Sequence, residues 1–137
     1  MDRTGQVLEG KYKIVRLLGE GGMGAVYAAS HTRNAARVAV KVLHPEFARE
    51  ANSRERFLLE GYAANKVGHP GVVRVLDDGV TQDGLVYLVM ERLEGRSLEA
   101  VAEAAGGLLP VDLVARYALP WLEIMAAAHK QGIVHRD

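Results

Sequence analysis

Apolar and turn-forming residues alternate in short blocks over the first third of the chain. Tyr12-Lys13-Ile14-Val15-Arg16-Leu17-Leu18 reads as a strand, the glycine cluster 19 to 24 as a turn, and Ala25-Val26-Tyr27-Ala28-Ala29-Ser30 as a second strand. β-Branched and aromatic residues suit a pleated, half-buried surface, and glycine supplies the sharp turn between such runs. A polar stretch from His31 to Ala36 leads into a valine-rich third strand, Arg37 to Leu43, which Pro45 ends. The spacing then becomes helical. Phe57, Gly61 and Ala64 share one helical face, with Leu58 beside them. Asn52 or Ser53 is the expected cap, with Glu55 completing a capping box from Asn52. Gly61 inside this helix costs about 1 kcal/mol relative to alanine.

Gly68-His69-Pro70-Gly71 ends the helix, and two further strands are expected at Val72 to Leu76 and Leu85 to Met90. Asp77-Asp78-Gly79 and Gln82-Asp83-Gly84 read as turns between them. A linker runs from Glu91 to Arg96, with Gly95 inside it. Ser97 then caps a short alanine-rich helix that stops at Gly106-Gly107. The last helix spans Val111 to Lys130, where Val114, Ala118, Trp121, Leu122, Met125 and His129 recur on one face. Pro120 removes one backbone hydrogen bond from it and crowds the preceding turn, at about 3 kcal/mol, so a kink is expected there. The whole is α+β: five antiparallel strands with one helix inserted after the third, then helices.

Composition narrows the choice of function. The 137 residues are 49% apolar and 25% charged, enough for an ordinary domain with a core. Net charge is zero, which gives no electrostatic case for a nucleic acid or an anionic membrane as partner. Without cysteine there is neither a disulfide framework nor a thiolate metal site. No apolar run reaches the roughly 18 residues of a membrane span, and Met1-Asp2-Arg3-Thr4-Gly5 lacks the apolar core of a signal peptide. A cytoplasmic location is expected. His31, His44, His69 and His129 show no metal-ligand spacing and read as surface or core residues.

Candidate chemistry begins at Gly19, Gly21 and Gly24, which form G-x-G-x-x-G. Dinucleotide-binding domains use the same letters, but there the glycines open a helix and an acidic residue follows about 20 residues on. Here the third glycine enters strand-like sequence, and valine and lysine stand at that distance. A loop between two strands, whose glycines let backbone N–H groups approach phosphate oxygens, fits better. Strand alternation puts Lys41 on the same face as Ala39, where its ammonium would supply a compact charge to phosphate. On the helix, Glu60 by itself reads as a solvated residue and Glu55 as a capping one; only the likeness described next makes Glu60 the expected partner of Lys41, with Glu55 the competitor.

Gly19-Glu20-Gly21-Gly22-Met23-Gly24-Ala25-Val26, Val38-Ala39-Val40-Lys41 and the terminal His135-Arg136-Asp137 together resemble the first half of a protein kinase domain. The resemblance covers essentially residues 10 to 137. It is closest to bacterial Ser/Thr kinases of the eukaryotic-like type in segments 19 to 27 and 126 to 137. It implies an N-terminal extension (1–11), a sheet-containing lobe (12–90), a hinge (91–97) and part of a helical lobe (98–137). It also implies ATP as ligand and γ-phosphoryl transfer to protein Ser or Thr hydroxyls, with Mg²⁺ held by residues this sequence does not contain. By this likeness residues 19 to 25 (Gly19, Glu20, Gly21, Gly22, Met23, Gly24, Ala25) cover the phosphates, and Lys41 binds them with Glu60 as its anchor. Leu18, Val26 and Ala39 roof the adenine, and Met90 is the gatekeeper. The Glu91 carbonyl and Leu93 N–H pair with the adenine edge, while Ser97 meets the ribose. Asp137 accepts the substrate hydroxyl's proton, Arg136 pairs with a phosphorylated activation loop, and His135 packs. Gly132 onward is expected to be the strand entering that catalytic loop. Ala64 and Arg92 depart from the family pattern, being smaller and non-aromatic respectively where many members differ.

The resemblance is compatible with a dimer through the kinase lobe and names no protein substrate. These 137 residues alone are expected to be inactive, since the metal-binding asparagine and Asp-Phe-Gly motif are not among them. The competing readings are a non-catalytic nucleotide-binding or kinase-regulatory module and, less favoured by the strand after Gly24, a Rossmann-type oxidoreductase.

Overall fold

The computed structural model describes residues 3–135. Two compact units divide the chain: Met1–Asn65 with Val73–Arg92, and Lys66–Val72 with Leu93–Asp137.

The first unit is a six-stranded antiparallel sheet with two helices. Its strands are β1 (Val7–Leu8), β2 (Tyr12–Glu20), β3 (Gly24–His31), β4 (Arg37–Leu43), β5 (Val75–Val80) and β6 (Val86–Glu91), in the order β1-β2-β3-β4-β6-β5. Five strands were expected. The sixth, β1, is two residues long, too short for alternation to announce it, yet Leu8 is fully buried and pairs with Tyr12. Residues in the expected N-terminal extension therefore complete the sheet.

Period-two alternation gives this sheet two apolar faces. One gathers Leu8, Tyr12, Ile14, Tyr27, Val40, Val42, Tyr87 and Val89 into a continuous cluster. Its two tyrosines keep their hydroxyls satisfied: Tyr12 donates to Asp77 at 2.8 Å, and Tyr87 donates to Glu9. Burial, reinforced by these carboxylates, pushes the Tyr12 hydroxyl up to about 12 and raises that of Tyr87 as well. The opposite face holds a smaller cluster of Leu43, Ala48, Phe57, Val86 and Leu88.

Helices α1 (Pro45–Ala48) and α2 (Ala51–Val67) contribute to that second cluster. Pro45 ends β4 and opens α1, since its fixed φ and missing N–H are tolerated at a first helical position. Helix α2 begins at Ala51, so Asn52 and Ser53 lie inside its first turn instead of capping it. The Glu50 carbonyl accepts from Arg54 N–H at 3.1 Å, while the Ser53 hydroxyl donates to the Glu50 carboxylate at 2.8 Å. Phe57 is buried, and a Cβ at Gly61 would stand 2.6 Å from Leu88 Cδ1. The helix-propensity cost of Gly61 is thus the condition for close packing on β6. In the last turn of α2, Asn65 bonds both the N–H and C=O of Val75, at 2.9 and 2.8 Å.

Strand β5 begins at Val75, three residues later than expected, and Asp77-Asp78-Gly79 lies within it instead of forming a turn. Tertiary contacts override the local turn signal here. Asp77 is held by Tyr12, and Gly79 lies where any side chain would collide with the Tyr87 ring. The chain reverses at the other expected turn, Gln82-Asp83-Gly84, where Thr81 N–H donates to Leu85 C=O and Gly84 N–H to Thr81 C=O, each at 2.9 Å.

The second unit contains α3 (Leu98–Ala104) and α4 (Val111–Lys130). Ser97 caps α3 as expected, accepting from Ala100 N–H at 3.1 Å. Both helices end in the same way. Gly107 N–H bonds Ala102 C=O and Gly106 N–H bonds Glu103 C=O; Ile133 and Gly132 repeat the pattern on Ala128 and His129. Helix α4 continues unbroken through Pro120. Its expected inward face is only partly covered. Ala118 and Met125 are half-buried, but Val114, Trp121 (58% exposed), Leu122 and His129 are exposed, and the buried residue of the helix is Ala128, outside the expected face. Val114, Ala118 and Trp121 line an open groove of about 580 Å³ with Leu98, Val101 and Leu109. Residues 133–135 form no strand, because the second unit has no strand for them to pair with among the described residues. Among the described residues, no helix is long and apolar enough to cross a membrane.

Candidate nucleotide site

The glycine loop joins β2 to β3 and is closed by a bond from Gly21 N–H to Gly24 C=O at 2.9 Å. Gly24 is fixed by contact: a Cβ there would run into the Val42 carbonyl. Gly19 and Gly22 are different. A Cβ on either would meet nothing within 4 Å, and neither has a positive φ. Internal packing and backbone strain therefore do not require glycine at these two places, and its effect is to leave the backbone open to an approaching ligand. A bulge places one extra residue, Leu18, between Leu17 (opposite Tyr27) and Gly19 (opposite Val26).

Behind the loop the strand register sets two adjacent rows across the sheet. Val26, Lys41 and Leu88 lie side by side on β3, β4 and β6; Ala28, Ala39 and Met90 form the next row. The first row presents the lysine, and the second presents two alanines beside Met90. Lys41, Val26 and Met90 are half-buried, and Ala28 and Ala39 are buried. Sequence reading had selected every member of these rows except Leu88 and Ala28. Alternation from Val26 along β3 was the signal that could have found Ala28.

Lys41 and Glu60 are not brought together. The Lys41 ammonium lies 5.5 Å from the Phe57 ring centroid, and no ion pair joins it to a described carboxylate. The reason lies in the helix. Phe57 and Gly61 take the stripe facing the sheet, so Glu60 falls beside that stripe and is exposed, as is Glu55. In this structure the partner of Lys41 is an aromatic face.

Glu91 ends β6. Its N–H donates to Arg74 C=O at 3.0 Å and its carboxylate accepts from Arg74 N–H at 2.8 Å. Leu93 and Ser97 belong to the second unit, Leu93 being 68% exposed and Ser97 capping α3. Asp137 and Arg136 lie outside the described residues. Among the described residues no group of three or more His, Asp or Glu side chains is placed to hold a metal ion.

The model of the protein kinase domain matches residues 12–137. The chain belongs to the protein kinase domain family. It is 39% identical over 134 residues to a probable serine/threonine-protein kinase, PknB, of Corynebacterium glutamicum, covering 96% of this chain and 21% of that protein. Similarity to the serine/threonine-protein kinase pkn2 of Myxococcus xanthus is 42% over 135 residues, covering 96% of this chain and 15% of the relative. Among solved structures, the kinase domain of Mycobacterium tuberculosis PknI superposes with a TM-score of 0.76 at 31% identity, covering all of this chain and 55% of that one. The chain thus spans about a fifth or less of these curated relatives and 55% of a solved kinase domain. The expected kinase-like α+β fold and the bacterial Ser/Thr kinase resemblance both hold, with six strands in place of five. Kinases of this family use ATP and Mg²⁺ in general.

Proposed function

We propose that this chain supplies the nucleotide-binding half of a serine/threonine protein kinase domain, acting in a cytoplasmic setting where ATP is at hand. The observation that supports it most is the pair of adjacent rows, Val26-Lys41-Leu88 and Ala28-Ala39-Met90, lying beside an exposed glycine loop. In this reading the loop's backbone N–H groups and the Lys41 ammonium bind the phosphates. Val26, Ala28 and Ala39 accept the adenine ring and Met90 limits its depth, with Leu18 at the rim. The Glu91 carbonyl and Leu93 N–H address the adenine edge, Ser97 the ribose, and Glu60 pairs with Lys41 once nucleotide is bound. Asp137 would receive the proton of a protein Ser or Thr hydroxyl in the complete domain.

The contact of Lys41 with Phe57 favours a second reading for these residues taken alone, a module that holds nucleotide without catalysis. The two readings agree on binding and part on turnover. A titration of the purified chain with ATP and with NAD tests the site that both share. ATP binding that Lys41→Met weakens tenfold or more supports the site; preference for NAD would overturn it. Removing Mg²⁺ with EDTA should leave ATP binding little changed if the loop N–H groups and Lys41 carry it, since no cluster of acidic or histidine side chains is placed to hold a metal among the described residues. Mg-ATP-dependent phosphorylation by the 137 residues alone would contradict the expectation that they do not transfer phosphoryl groups.

A further inference from the structure

His44 stands between β4 and α1 and makes three contacts with the glycine loop. Its N–H donates to Met23 C=O at 3.0 Å. The ring Nε2 lies 3.1 Å from Gly21 C=O and 3.8 Å from a Glu20 carboxylate oxygen. A carbonyl only accepts, so Nε2 must carry a hydrogen, which fixes the tautomer of the neutral ring. The side chain is 22% exposed. It lines a cavity of about 330 Å³ together with Glu20 from β2, Glu46 from α1 and Arg3 from the N-terminal segment. Pro45 follows at once and limits the backbone freedom of this junction.

We propose that His44 is a positioning residue for the glycine loop, its ring holding Gly21 and its backbone holding Met23. A loop with glycines at 19, 21, 22 and 24 has many conformations to lose when it closes on phosphates. A clasp at its base removes part of that cost before the ligand arrives, which raises affinity without a contact to the ligand. The inference rests on the nucleotide reading above and adds to it a residue that the glycine motif does not contain. Held at Gly21 and Met23, the loop has less freedom to lose when phosphate oxygens meet its backbone N–H groups.

The test uses the whole 137-residue chain and two substitutions, His44→Leu and His44→Gln. Leucine fills similar space with no donor; the glutamine amide can donate to the same carbonyl. Two readouts are taken on each: ATP affinity by titration, and backbone NMR order parameters of Gly22 and Met23 without ligand. His44→Leu should weaken ATP binding about 5- to 10-fold, the worth of one hydrogen bond, and lower the loop's order parameters. His44→Gln should recover most of both. Unchanged values in a folded His44→Leu chain would overturn the proposal. So would equal losses in both variants, which would mark a packing role. Should His44→Leu fail to fold, His44→Asn, whose shorter amide falls short of Gly21, takes its place. If the wild-type chain binds no ATP, the nucleotide reading fails, and the order parameters still decide whether the clasp exists.

Discussion

Tyr27, Val40 and Val89 form a row on one side of the sheet, while Ala28, Ala39 and Met90 form a row on the other. The two rows come from neighbouring positions of the same three strands. On the first side, large side chains fill a continuous cluster closed by β1, with tyrosine hydroxyls satisfied by Glu9 and Asp77. On the second, a helix covers the part around Phe57, Val86 and Leu88, and the rest is Val26, two alanines, Met90 and one lysine. Alternation makes both faces from one pattern, and the size of the side chains separates their uses. Bulk on one face holds the sheet; the lack of it on the other leaves room for a ligand.

The sharpest way to break this contrast is to remove bulk from the filled side. Tyr87 is fully buried, and Tyr87→Ala should destabilise the chain by about 3–5 kcal/mol in urea unfolding. Nucleotide affinity of the molecules that remain folded should not change. A smaller effect follows at Gly79, where a methyl group must displace the Tyr87 ring or Glu9. Gly79→Ala should cost about 1–3 kcal/mol by the same measurement.

Alkaline titration probes the same face. Neutral Tyr12 and Tyr87 are favoured in the fold, so their contribution to stability is fully present below about pH 10. It is lost as pH rises through the range of about 10 to 12. Circular dichroism with phenolate absorbance should show unfolding coupled to tyrosine ionisation in that window. Free ionisation near the ordinary tyrosine pKa of about 10 with the fold intact would contradict the burial of these hydroxyls.

Least costly to the fold should be Lys41→Met on the open face. Its loss to stability is the cation–π contact with Phe57, about 0.5–1 kcal/mol, although ATP binding should fall at least tenfold. A Lys41→Met chain that unfolds as readily as Tyr87→Ala would erase the division between the faces.

The elements that were legible in the sequence are those with local causes. Strand β4 occupies the expected Arg37–Leu43, α4 the expected Val111–Lys130, and Ser97 caps α3. The departures have distant causes. β1 is made by pairing with β2, and Asp77-Asp78-Gly79 is drawn into a strand by Tyr12 and Tyr87. Helix α2 starts early because Glu50 supplies its first carbonyl acceptor. At the candidate site, the glycine loop, Lys41 and Ala39 could be found from motif and alternation, and Met90 from the family resemblance. Ala28 needed the register, and His44 needed the fold that carries the β4–α1 junction under the loop. Glu60 illustrates the opposite case: a motif position identifies a residue, while Phe57 decides where the lysine rests in this structure.

The most direct measurement is methyl-resolved NMR of the chain during ATP titration. Methyl signals of Val26, Ala28, Ala39 and Met90 should shift with saturation, and those of Ala29, Val40, Val42 and Val89 should stay nearly fixed. Equal shifts on both sets, or shifts confined to the Val40 and Val89 side, would contradict a ligand site on the face that carries Lys41.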